Sequence, residues 1–325
     1  MRYRIEEPLF TTVLDDVSSL HLPSGSLYIT GTSVEERSEH TAKWEAASPG
    51  IEFVRLLEED RSKVTVSWAG QNATLRLRSA NDFQEFLAQT RHTQVYLDIT
   101  GLPHHVWAPI LRAIRVRSEP SVCVYVEPGD YRFSATPTEA SIFDLSESIQ
   151  GIEPLPGFVS LAATPDEDGV FVPLLGFEGA RFAFMTEAVQ PNWDAICPII
   201  GVPGFRPEYP FYSYLGNRLQ LAETRAWQNV RYAAANCPFS VYHVLGAIAA
   251  DDPTQRLRIA PIGTKPHALG AVLYCLDHPL STEILYDHPV RKAKRTHGTS
   301  RVCLYDLSLL PPLRHSSVTA RLRGN

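Results

Sequence analysis

Side chains able to do chemistry gather at two turns of this 325-residue sequence. The first, Asp98-Ile-Thr100-Gly101-Leu-Pro-His104-His105, puts a carboxylate inside an apolar run, a hydroxyl and a glycine at its end, and two imidazoles just beyond. The second, Gly263-Thr264-Lys265-Pro266-His267, sets a hydroxyl and an ammonium directly after a glycine. A glycine lets backbone N–H groups turn toward a ligand, Thr264 can donate to a phosphate oxygen, and Lys265 adds charge. The set suits a phosphate or ribose, with Asp98, Thr100, Gly101 and His104 offered to a sugar hydroxyl or base. A tight strand-to-helix turn needs glycine and proline in any case. Thr100 as a helix cap and Asp98 as a loop anchor account for the same residues without a ligand.

Further candidates flank these turns. Thr32 and Ser33 follow the strand-ending Gly31 and precede Glu35, Glu36 and Arg37, the pattern of a capped helix start. Glu35 to Arg37, like Glu178 and Arg181, read equally as an ion-pair network or as ligand contacts. Arg291-Lys-Ala-Lys-Arg295, continuing to His297 and Arg301, forms a cationic run. It can supply cations to a phosphate-bearing ligand, offer a local contact to nucleic acid, or simply be a solvated loop.

Alternating patterns supply the elements that hold these residues. Strands are expected at 27–31, 51–57, 95–99, 122–126, 170–175, 195–200 and 256–260, and a hairpin at 63–77 turning at 70–72. Helices are expected after Ser33 and at 81–90, 106–116, 217–234 and 242–249. Strand alternating with helix favours crossover connections and Rossmann-like, mainly parallel sheets that bind ligands at the carboxyl ends of their strands. Residues 129–168, rich in Pro, Ser, Thr and acidic side chains, read as a connector with room for a short helix. The expected organisation is therefore a half-domain at 1–128, that connector, and a second half-domain at 169–325 ending in a basic tail.

Composition sets the outer bounds. The 44% hydrophobic and 20% charged fractions are those of a globular chain, and a net charge of −6 gives no general attraction to nucleic acid or anionic lipid. The five cysteines form no CxxC pair and read as buried thiols. With no long apolar run and no signal-peptide pattern at the start, the cytoplasm is the expected compartment, without membrane contact. HExxH, GxSxG, GxGxxG and zinc spacings are missing, so no metal and no dinucleotide cofactor are expected.

The two halves repeat one pattern. Leu97 to Leu111 and Ile259 to Leu273 share a strand, a glycine, a short loop, a proline, a histidine and an apolar helix, and Gly31 to Arg37 echoes Gly176 to Arg181. A period of this length is too long for a solenoid, so two related halves about a pseudo-twofold axis are expected.

Asp98-Ile-Thr-Gly-Leu-Pro-His104 and Ile262-Gly-Thr-Lys-Pro-His267 resemble the strand-end motifs of CARF domains, the Rossmann-fold sensors of CRISPR systems, and two such units in one chain resemble the SAVED relatives. The likeness spans about four short segments. It departs where His104 stands for the usual basic residue and where Lys265 lies close to the glycine. The resemblance implies a sensor of a nucleotide-type second messenger that acts in prokaryotic antiviral defence through a separate effector. Two other functions stay open: an enzyme acting on nucleotides or phosphodiesters through His104, Lys265, His267 or Arg295, and an assembly subunit using the aromatic-rich segment 203–214. The partners expected are a nucleotide-type small ligand and an effector protein, with a homo-oligomer open.

Overall fold

The computed structural model describes residues 11–31, 35–58, 60–138, 141–143, 145–159, 169–293, 295–308 and 310. Thr32 and Ser33 lie outside the described residues, as do Lys294 and the basic tail.

The first half is built on β1 (Thr11–Leu14), β2 (Ser26–Gly31), α1 (His40–Ala47), β3 (Glu52–Glu58), β4 (Lys63–Trp68), β5 (Gln71–Arg76), α2 (Ala80–Gln89), β6 (Gln94–Asp98), α3 (His104–Arg115) and β7 (Ser121–Tyr131). Short strands β8 (Phe133–Thr138), β9 (Ser141–Phe143), β10 (Ser146–Ile149) and β11 (Glu153–Pro154) follow. The second half contains β12 (Val170–Leu174), α4 (Gly179–Val189), β13 (Ile199–Gly201), α5 (Tyr209–Glu223), β14 (Arg231–Ala233), α6 (Pro238–Asp251), β15 (Leu257–Pro261), α7 (Lys265–Asp277) and β16 (Thr282–Tyr286). The chain closes with β17 (Pro289–Arg291) and β18 (Thr296–Asp306).

Two sheets carry the molecule. One has eight strands in the order β1-β18-β7-β6-β2-β3-β4-β5, and the other six in the order β11-β16-β15-β12-β13-β14. In the first, β7, β6, β2 and β3 run parallel and antiparallel strands flank them. In the second, β16, β15, β12, β13 and β14 run parallel. The central strands read as near-continuous apolar runs because helices cover both faces of a parallel sheet. Leu27, Ile29, Leu97, Val172 and Ile259 are all at most 1% exposed. α3 and α7 pack against each other where the halves meet, and one core cluster runs from Leu27 to Leu307 through both.

Several expectations need correction. The helix expected at 217–234 starts earlier, at Tyr209, with Pro210 in its first turn, where a missing N–H costs nothing. It ends at Glu223 because Arg225 adopts a left-handed φ of 58°, and Arg231–Ala233 pairs with β13 as a strand. The strand expected at 195–200 is a 3-10 turn over Trp193–Ala195 followed by β13. The hairpin turns at Ala69–Gly70, both at positive φ, with Trp68 opposite Gln71, the geometry whose twist matches paired strands. Among its described residues the connector holds short strands and no helix. The final strand, β18, leaves the second half and pairs with β7 of the eight-stranded sheet. All five cysteines are free and buried. No helix among the described residues is long and apolar enough to cross a membrane.

Candidate functional site

Helices α3, α4 and α7 each follow a parallel strand, so their first turns lie at the carboxyl ends of β6, β12 and β15. N–H groups at such a helix start lack intrahelical partners and carry partial positive charge. The two strand-end turns meet directly. Lys265, the first residue of α7, reaches into the other half, and its Nζ donates to the carbonyl oxygens of Ile99 (2.6 Å), Thr100 and Leu102 (2.8 Å). Those three acceptors take all three protons of an ammonium group. Burial and the nearby Arg291 and Arg37 push the Lys265 pKa well down, against the carbonyls that favour its charged form. The lysine expected to hold a phosphate therefore joins the turn after β15 to the turn after β6, and it also lines the cavity beside it.

That cavity opens between the strand ends and offers about 110 Å³ to the centres of water-sized molecules. Its aromatic wall holds Tyr125, Tyr131, Phe177, Phe205, Tyr209 and Tyr286, and its charged wall holds Arg37, Arg181, Lys265, Arg291 and Arg295. The arginines differ in one respect. Arg37 donates to Glu35, to the Tyr125 hydroxyl (3.0 Å) and to the Val126 carbonyl (3.0 Å). Arg181 grips Asp287 through two bonds of 2.7 and 2.6 Å and donates to the Ile262 carbonyl. Arg295 donates twice to Glu35, at 2.9 and 2.7 Å. Burial opposes charge on Glu35, yet Arg37 and Arg295 hold its carboxyl far below the ordinary range. Arg291 has no such partner: no carboxylate or carbonyl among the described residues lies within bonding distance of its guanidinium. Burial and the neighbouring Arg295 lower its pKa, against Tyr286 and Glu35, which favour its charged form.

No family model matches the chain, and it has no significant match among curated proteins or solved structures.

His104 also faces the cavity. It is 5% exposed, its ring stacks on Tyr286 with centroids 4.8 Å apart, and neither ring nitrogen has a partner. Burial, with Arg291 and Lys265 adding to it, holds its pKa well below the usual value, so the imidazole is neutral near pH 7. Gly263 and Thr264 line the cavity as well. The Thr264 hydroxyl is occupied, accepting from His267 N (3.3 Å) as the helix cap and donating to the Ala235 carbonyl (3.0 Å).

The remaining candidates stand apart from the cavity. The Asp98 carboxylate accepts from the Tyr28 hydroxyl (3.0 Å) and from Thr100 N (2.8 Å), so it anchors the turn from below. Thr100 Oγ1 accepts from Val126 N (2.9 Å), and His267, 1% exposed, bonds the Ala234 carbonyl through Nε2 (3.1 Å). Gly101 lines a neighbouring cavity. The cationic run is not a solvated strip at its two ends, since Arg291 and Arg295 both turn inward. Reading the sequence missed the aromatic wall, although the crowding of Phe205 and Tyr209 in segment 203–214 was its signal. Phe211 from that segment is 73% exposed and belongs to the surface.

Proposed function

We propose that this chain is a ligand-binding module that takes a phosphate-bearing, nucleotide-type molecule in the cavity between its halves and passes its occupancy to a partner protein. The observation that carries this reading is Arg291: a guanidinium facing the cavity with no hydrogen bond or ion pair of its own among the described residues, next to rings on which a base can stack. Aromatic faces with a few placed polar groups are the usual make-up of a small-molecule site. We read the halves as an internal repeat, a view supported by the matching parallel orders β7-β6-β2-β3 and β16-β15-β12-β13 and by Arg37 and Arg181 at like positions. The expected resemblance to CARF and SAVED sensors, with a role in antiviral defence, belongs to the same proposal.

A mass-spectrometric search for small molecules copurifying with the protein is the test. A phosphate-containing nucleotide retained by the wild type and lost from Arg291→Ala supports the reading. No retained nucleotide, together with no thermal stabilisation by added ribonucleotides, counts against it. The neutral His104 between Arg291 and Lys265 favours one second reading, an enzyme that uses this imidazole as a general base on a phosphodiester. In that case His104→Gln abolishes turnover while leaving binding within a few-fold.

A further inference from the structure

A second cavity lies on the other side of Arg291, with about 350 Å³ open to the centres of water-sized molecules. The two cavities share three lining residues, Tyr286, Pro289 and Arg291, so the β16–β17 turn is the partition between them. That turn is pinned from two directions. Asp287 is fully buried and held by both Arg181 bonds, and the His288 carbonyl accepts from Gln150 N at 3.3 Å. Between those fixings His288 adopts a left-handed φ of 44°, a conformation that side-chain-bearing residues rarely take. It is 6% exposed and lines the second cavity, its ring edge-on to Tyr286 and 5.0 Å from that of His105, and neither of its ring nitrogens has a partner. Unpaired buried polar groups and strained backbone both call for an explanation, and a ligand supplies one for both.

We infer that the two cavities form one bipartite site, in which Arg291 holds a bridging phosphate, one nucleoside stacks in the aromatic cavity, and the second nucleoside is read by His288 and the exposed-rim Arg61. The inference rests on the proposed nucleotide binding and deepens it, naming the ligand class as a dinucleotide. A neutral imidazole offers one donor and one acceptor, which suits sugar hydroxyls or a base edge rather than a second phosphate. Arg61 reaches the same region, bonded to the Gln150 side chain at 2.7 Å.

Equilibrium dialysis of the full chain against a ribonucleoside 5′-monophosphate and the 5′-phosphorylated dinucleotide of the same base tests this. Two variants accompany the wild type: His288→Gly, whose replacement suits the positive φ, and Arg61→Ala on the exposed rim. The wild type is expected to hold the dinucleotide at least tenfold more tightly than the mononucleotide. Both variants should lose that advantage while keeping mononucleotide affinity within about twofold. Equal wild-type affinity for the two ligands overturns the bipartite site and leaves nucleotide binding standing, as does a variant that weakens both ligands alike. Binding of neither ligand overturns the proposed function along with it.

Discussion

His104, His267 and His288 are buried as neutral imidazoles, and this sets how the protein responds to acid. Burial lowers the pKa of His267 to about 4 and of His288 to about 4, and holds His104 well down. The unfolded chain takes up protons at these residues below the ordinary value of 6.5, whereas the folded chain does not. Their contribution is therefore neutral above pH 6.5, and stability falls as pH drops from 6.5 toward 4. For the fully buried His267 the loss is roughly 3 kcal/mol across that window. Urea unfolding at pH 7 and pH 5 checks it, with His267→Gln, which keeps a donor for Ala234, giving a shallower slope. Lys265 carries a different weight. Lys265→Met fills the same space but leaves the carbonyls of Ile99, Thr100 and Leu102 without their donor, at a cost on the order of 3 kcal/mol or more. A change below about 0.5 kcal/mol in denaturant titration, the range of ordinary surface substitutions, would remove its role as the clamp between the two strand-end turns.

At the scale of elements, the turn after β15 is fixed by close backbone approach. A Cβ on Gly263 would lie 2.7 Å from the Leu175 carbonyl oxygen and 2.8 Å from that of Leu174, both backbone atoms with little room to move. Gly263→Ala should therefore destabilise by about 1–3 kcal/mol, read as a lower Tm, and should disturb the cavity wall that the turn forms. This turn was legible in the sequence because glycine, a capping threonine and a following proline each leave a local signal. The central strands were legible for a similar reason, since burial on both faces makes them continuous apolar runs. α5 was not. Its apolar spacing continues past residue 223, and only the left-handed Arg225 and the pairing of β14, a tertiary contact, end it. The partition turn was equally hidden, because nothing local marks His288 as left-handed; the bonds that hold the turn come from Arg181 and Gln150, distant in sequence.

For the molecule as a whole, the sequence supported two glycine turns of matching form, and the structure brings them into contact through Lys265. What could not be read from types and spacing was which cation is left without an ion pair among the described residues. Arg37, Arg181, Arg291 and Arg295 are chemically alike, and only the fold gives Glu35 to two of them, Asp287 to a third and no carboxylate to Arg291. The aromatic wall was obscured similarly, since its rings come from β7, the loop before α4, the loop before α5, α5 and β16, which meet only in the folded chain. On the proposed function, this wall and Arg291 together hold a nucleotide. Titration calorimetry of wild type and Arg291→Ala against ribonucleoside monophosphates, dinucleotides and cyclic oligonucleotides tests it most directly. The account predicts saturable one-to-one binding of at least one of these by the wild type, weakened about ten- to a hundredfold in Arg291→Ala, the loss of a charge-assisted hydrogen bond worth about 1.5–3 kcal/mol. Equal binding by both proteins, or no saturable heat from any ligand, would contradict it.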